Sequence, residues 1–302
     1  MPCCANAHNL PSREEGFVEI VAFSVASAVL IALGIVLTRF GLRGLGPIRG
    51  GSISVPTSAV MFLALSPVTV DFANWNSHAA LIFGAAGLIY PAAVTLLTFA
   101  SNQRLGPNLT AAMGNLTPLF AIALAMLLLD EWPHPTQAAG VAVVMTGLFM
   151  VTTAQMGGLP RGALWLLGIP LAAAFLRGAA QPLVKVGLQD WPNAFAAALL
   201  SYIVSGVVIW IVRLIRNAPP LPFDLAAHLW FALVGVVNGL ALVAMYAALA
   251  RGPVAVVAPI VASYPLITMG MAWLMHGREP LSLRAILGMV ISVAGVILVL
   301  RG

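Results

Sequence analysis

The sequence predicts an all-α integral membrane protein whose ten transmembrane helices form two inverted five-helix repeats. Three observations predict it. Of the 302 residues, 61% are hydrophobic and 8% charged, where a soluble domain carries roughly 25% charged residues. The apolar residues gather into ten runs, each close to the ~20 residues a helix needs to cross the hydrocarbon core. Landmarks of the first five runs return in the second five at a nearly constant offset.

Residues 1–16 form a polar tail without the basic and apolar regions of a cleaved leader. Cys3 and Cys4, the chain's two cysteines, are adjacent there and read as free thiols, because neighbouring cysteines do not meet disulfide geometry. Spans follow at 17–40, 51–70, 78–100, 107–129 and 136–154, then at 161–187, 193–214, 226–250, 253–275 and 282–300. The connections are short and hold Gly, Pro, Asn or charge: "RLGP", "DEWPHP", "GGLPRG", "RNAPPLPFD" and "HGREP". All seven tryptophans fall at or near span ends, as interfacial anchors do. The net charge of +5 comes from Lys and Arg scattered between apolar runs. With no basic face or tract, nucleic-acid binding is not expected.

The repeat is read from matched landmarks. "LTRFGL" at 37–42 resembles "LVKVGL" at 183–188, which sets Arg39 against Lys185 and Gly41 against Gly187, each 146 positions apart. Pro107 and Pro253 share that offset. Glu131 with Glu279, Gly140 with Gly288, and Gly147 with Gly295 are each 148 apart. The domain reading is a 1–16 tail, a first repeat over 17–155 and a second over 161–301. Five spans per repeat is an odd number, so the second repeat crosses the membrane in the opposite sense. Secondary transporters use this plan and bind substrate near the midplane between the halves.

The segment "YAALARGPVAVVAPIVASYPLITMGMAWLMHGREPLSLRAILGMVISVAGVILVL" resembles the closing spans of the EamA family, within the drug/metabolite transporter superfamily. The "ARGP" entry, Pro265, Glu279 and the Gly288 and Gly295 pair carry the resemblance. Pro118, Glu131, Gly140 and Gly147 repeat it in the first half. It implies ten helices, a central cavity open to one side at a time, and export of metabolites such as amino acids. One departure stands out: where the family habitually places an aromatic residue, this chain has Arg177.

Arg177 lies near the middle of the sixth span, where an arginine costs at least ~2.5 kcal/mol by insertion scales. Gln181 and Lys185 follow at four-residue spacing on the same helix face, so the stripe is expected to face the bundle interior. Arg177 reads either as a midplane clamp for a carboxylate or other anion, or as a structural lock between helices. Lys185 and Arg39 sit near span ends and are expected to snorkel to the interface. Asn115 and Pro118 in the fourth span, and Ser263, Tyr264 and Pro265 in the ninth, read as cavity walls or as plain kinks. Asn238 in the eighth span and Tyr90 in the third serve either as ligand contacts or as interhelical hydrogen-bond partners.

The predicted substrate-binding set is therefore Arg177, Gln181, Asn115, Pro118, Ser263, Tyr264, Asn238 and Tyr90. No catalytic residue, metal site or cofactor is expected: no P-loop, zinc spacing or paired carboxylates appear. No acid lies deep in a span, and Glu19 is the best, though shallow, candidate for proton coupling. The expected function is secondary transport of small metabolites, with export of amino acids or related carboxylates ahead of multidrug or amphiphile efflux. A membrane enzyme or a structural membrane protein is the remote alternative. The expected partners are a small-molecule substrate and the lipid bilayer, with a homodimer left open. The expected location is the bacterial inner (plasma) membrane, multi-pass.

Overall fold

The computed structural model describes residues 13–153, 164–215, 224–276 and 282–302. Ten helical spans of the length and apolarity needed to cross a membrane are present among them. The first five are built from α1 (Arg13–Gly41), α2 (Pro47–Thr69), α3 and α4 (Ser77–Gly87 and Val94–Leu105, joined through a π turn at Leu88–Ala93), α5 and α6 (Pro107–Gly114 and Thr117–Leu129), and α7 (Pro135–Thr153). The second five are α8 (Gly168–Asp190), α9 (Ala194–Ile215), α10 (Leu225–Arg251), α11 and α12 (Val254–Ala262 and Tyr264–His276), and α13 (Leu283–Leu300). The fold class is the one the sequence predicts. The third span runs to Leu105, five residues past its apolar run, because Asn102, Gln103 and Arg104 continue the helix beyond the hydrocarbon. The first begins earlier for the same reason, at Arg13.

Packing repeats itself between the halves with the partners exchanged. Gly87 of α3 lets the backbone of Ser201 on α9 approach, and Ser205 one turn on donates to the Gly87 carbonyl at 2.7 Å. The mirror contact sets Gly235 of α10 against the Ser54 backbone on α2, and Ser58 donates to the Gly235 carbonyl at 2.7 Å. Likewise a Cβ on Gly41 would stand 2.8 Å from the Phe231 ring, and one on Gly187 2.6 Å from the Phe83 ring. The repeat offset that pairs Gly41 with Gly187 also pairs Phe83 with Phe231 within two positions. Such crossed pairs are what a two-fold relation between the halves requires.

On that relation, α7 and α13 should pack on each other as mates, and they do. Gly147 lies against Ser292 and the Gly288 carbonyl, while Gly140 and Gly295 lie against one another's backbone. Small residues bring these backbones together because lipid offers no hydrophobic drive for helix association; close packing must supply it. The main core cluster runs from Phe62 and Phe83 to Tyr246, Leu249 and Val257, with smaller clusters about Phe231 and about Met269.

Tryptophans divide between the two roles open to them. Trp75, Trp132, Trp165, Trp210 and Trp273 are exposed at span ends. Trp191 is buried, with its ring centroid 5.2 Å from that of Trp75, and Trp230 stacks on Phe40 at 4.9 Å.

Candidate functional site

Three spans break near mid-membrane. In the third, Tyr90 takes an extended backbone (φ −138°, ψ 126°) ahead of Pro91. In the fourth, α5 stops at Gly114 and α6 restarts with Thr117 and Pro118. In the ninth, α11 stops at Ala262 and α12 restarts with Tyr264 and Pro265. Proline removes a backbone donor and cannot continue the hydrogen-bond ladder. Non-helical backbone at this depth is tolerated only where protein or a cavity surrounds it. Discontinuous helices of this kind form the midplane sites of transporters.

α8 runs unbroken past these breaks. Gly178 allows close contact: a Cβ there would meet the Thr117 carbonyl at 2.8 Å and the Ala121 amide at 2.9 Å. Phe120 and Phe175 seal that crossing edge to face, centroids 5.5 Å apart. Arg177, next to this glycine, is thereby fixed beside the α5–α6 break. Its guanidinium carbon lies 5.7 Å from the Tyr90 ring centroid, a cation–π contact. Its Nε is fully buried without a hydrogen-bond partner. Among the described residues Arg177 stands in no ion pair; the recorded pairs are His78–Asp190, Lys185–Glu131 and Arg251–Glu19.

The structure gathers more polar groups around Arg177 than the sequence suggests. Tyr90 lies within electrostatic reach of both Arg177 and Tyr264, and Tyr202 and Tyr246 lie within reach of Tyr90. These are the four tyrosines of the chain. Gln181 Oε1 and Thr117 Oγ1 are buried and unpartnered, like Arg177 Nε, whereas Tyr246 Oη lies within reach of Ser201. Buried polar atoms are nearly always satisfied. Three such orphans stand on α6 and α8, the two helices that meet at the Gly178 crossing. Tyr202 and Tyr246 are absent from the sequence-derived set, though a tyrosine well inside an apolar run is the same signal that selected Tyr90.

Other members of that set are placed differently. Asn115 donates its amide hydrogens to the Leu148 carbonyl and Thr152 Oγ1, both at 3.1 Å, so it ties the α5–α6 break to α7. Asn238 lies against Gly34 of α1 and fills the gap that glycine leaves. Ser263 donates to the Ile260 carbonyl at 2.6 Å within its own chain turn. Pro118 is buried at the start of α6, beside the Gly178 crossing. Arg177 thus meets Tyr90, with Tyr264 within reach of Tyr90 and Gln181 one turn along α8, while Asn115 and Asn238 meet neighbouring helices and Ser263 bonds within its own turn.

Lys185 corrects an expectation. It does not snorkel: its ammonium pairs with Glu131 and donates to the Gly252 carbonyl at 2.6 Å, with its side chain 12% exposed. Glu131 also accepts from the Val254 amide at 2.9 Å. Asp130, in the left-handed region (φ 54°), ends α6 and starts the turn that carries Glu131 there. The lock joins α8, the turn after α6 and the turn before α11, on the membrane face that holds both termini. Arg39, the repeat mate of Lys185, is exposed on the opposite face. Glu279, the mate of Glu131, lies outside the described residues. Glu19 is bonded to Arg251 Nε at 2.8 Å at the rim, and Arg251 lies over the Phe23 ring.

A ten-span bundle with exchanged contacts between its halves, broken helices at mid-depth and unsatisfied polar groups among them defines an integral membrane transporter. The chain belongs to the EamA-like transporter family, whose sequence model matches residues 19–153 and 161–301. Its substrate is accordingly a small molecule and its surroundings are lipid. One solved crystal structure has a TM-score of 0.77 over 95% of this chain and 96% of its own, at 14% identity, and so shares the fold. No curated protein matches the chain.

Proposed function

We propose that this transporter exports amino acids or related small carboxylates across the bacterial inner membrane by alternating access. The observation that carries the reading is Arg177: a mid-membrane guanidinium held by an aromatic face rather than by a carboxylate. An arginine at this depth must be compensated. A cation–π contact offsets part of that cost and leaves the donor fork available. A carboxylate satisfies such a fork bidentately, and the Tyr and Gln side chains around it suit the remaining polar groups of an amino acid. The lone positive charge works against cationic substrates.

The two ends of the bundle differ in the way that alternating access requires. Lys185, Glu131 and the Gly252–Val254 turn tie together the face that holds the termini. Arg39, which occupies the equivalent place opposite, is exposed. Transport needs no membrane-embedded acid in this reading: Glu19 is engaged at the rim, and substrate exchange or downhill flux drives the cycle.

Counterflow in proteoliposomes tests the proposal with labelled amino acids, other small carboxylates, the corresponding amides and a cationic amphiphile. The expected result is exchange of one or more carboxylates at least about tenfold faster than their amides. Exchange of the cation with none of the carboxylates would favour amphiphile efflux instead.

A further inference from the structure

We propose that the cleft between α2, α4 and α9 is a binding site for the headgroup of one anionic phospholipid. It encloses about 380 Å³ and shares no residue with the Arg177 centre. Three helix ends meet there. Arg49 stands on the first turn of α2, Gln103 on the last turn of α4 and Arg213 in the last turn of α9. Below this polar rim the walls are mainly apolar, with Leu96, Phe99, Ile209 and Val212 beside the hydroxyls of Ser52 and Thr95. Gln103 to Thr95 covers two turns of α4, a depth of about 12 Å at 1.5 Å per residue.

The change from a charged rim to mainly apolar walls follows that of a lipid monolayer. Arg49 brings a planar fork that matches phosphate oxygens, and Arg213 adds a second positive charge to the rim. The N-terminus of α2 adds the positive end of its dipole: its N-cap is Gly46, which supplies no side-chain cap. A soluble anion would use the rim and leave the apolar wall exposed to water; a phospholipid uses both. The face itself favours this occupant. Arg39, Arg43, Arg104 and Arg284 lie on the same side, and among the described residues its one acidic side chain is Asp224, the N-cap of α10. Such a face lies toward the cytoplasm by the positive-inside rule, where anionic lipids attract basic pockets between helices.

The test is native mass spectrometry of the purified full chain, titrated with phosphatidylglycerol or phosphatidylcholine of equal chain length. The proposal expects phosphatidylglycerol to be retained about tenfold more tightly. The double substitution Arg49→Gln with Arg213→Gln should abolish the preference. Ala100→Trp, which fills the cleft but keeps both arginines, should lower phosphatidylglycerol occupancy as well. Thermal unfolding of each variant in zwitterionic detergent confirms folding; if the double variant does not fold, Ala100→Trp decides. Equal retention of the two lipids, or a preference that survives the informative variant, overturns the proposal. So does displacement of the lipid by millimolar glycerol 3-phosphate, which would make the cleft a site for free phosphate esters.

Discussion

At the residue scale the polar side chains fall into those with partners and those without, and the division predicts different phenotypes. Asn115 has both amide hydrogens bonded to α7. Interhelical hydrogen bonds in bilayers average about 0.6 kcal/mol and reach about 1.7. Asn115→Leu should therefore lower stability by about 1–3 kcal/mol for the two bonds while leaving selectivity per folded molecule unchanged. Gln181 is buried with its Oε1 unpartnered. Gln181→Leu should hold or raise stability, because it removes an unsatisfied acceptor, and should weaken substrate affinity by about three- to tenfold, the worth of one neutral hydrogen bond of 0.5–1.5 kcal/mol. Unfolding midpoints and transport affinities of the two variants separate these outcomes. If Gln181→Leu left affinity unchanged, Gln181 would have no place in the site. The sequence placed both residues in spans and turned Gln181 to the bundle interior through its spacing with Arg177, but it did not give the direction of Asn115. A residue at a helix break can face either way, and the three-dimensional course of α5 and α6 decides that Asn115 turns to α7.

At the element scale, two features carry separate burdens. Gly147 and Gly288 set the distance between α7 and α13. Gly147→Leu drives a side chain into the Gly288 and Ser292 backbone and should cost at least about 1–3 kcal/mol, read as loss of monodisperse protein on extraction. The same substitution at Gly114, where nothing crowds a Cβ, should be mild. The Lys185 lock makes a different prediction. In a chain with Cys3 and Cys4 replaced by Ser, Val254→Cys is a buried reporter beside Glu131. Glu131→Gln removes the charge that holds Lys185 and should speed labelling of that cysteine several-fold by opening this mouth. Unchanged labelling would make the lock a static brace. This lock was not legible in the sequence, since Lys185 and Glu131 are distant in the chain and each alone looks like an interfacial charge. The breaks were legible, because Pro118 and Pro265 announce them, whereas the break at Tyr90 precedes a proline whose register against α8 only packing defines.

At the scale of the whole molecule, the sequence carried the span count and the repeat, because hydropathy and a constant offset are properties of the chain itself. It did not carry the contact between Arg177 and Tyr90 or the three tyrosines grouped about Tyr90, because those residues come from the third, seventh, eighth and ninth spans and meet only after the halves pack. Arg177 and Tyr90 stand on one half and the other, and the proposed cycle rocks the halves about that contact. Arg177 has Ile31 at the equivalent position 146 residues earlier, so the charge breaks the symmetry and is not part of the scaffold the two halves share; the proposed function assigns it to recognition. Arg177→Lys keeps the charge but loses the planar fork and should slow transport without changing which substrates are accepted. The most direct test is transport per correctly folded molecule by Arg177→Gln, measured for a carboxylate substrate and for its amide. The account predicts that the native preference for the carboxylate disappears while the amide is still carried. An Arg177→Gln variant that folds and keeps the full native preference would contradict it.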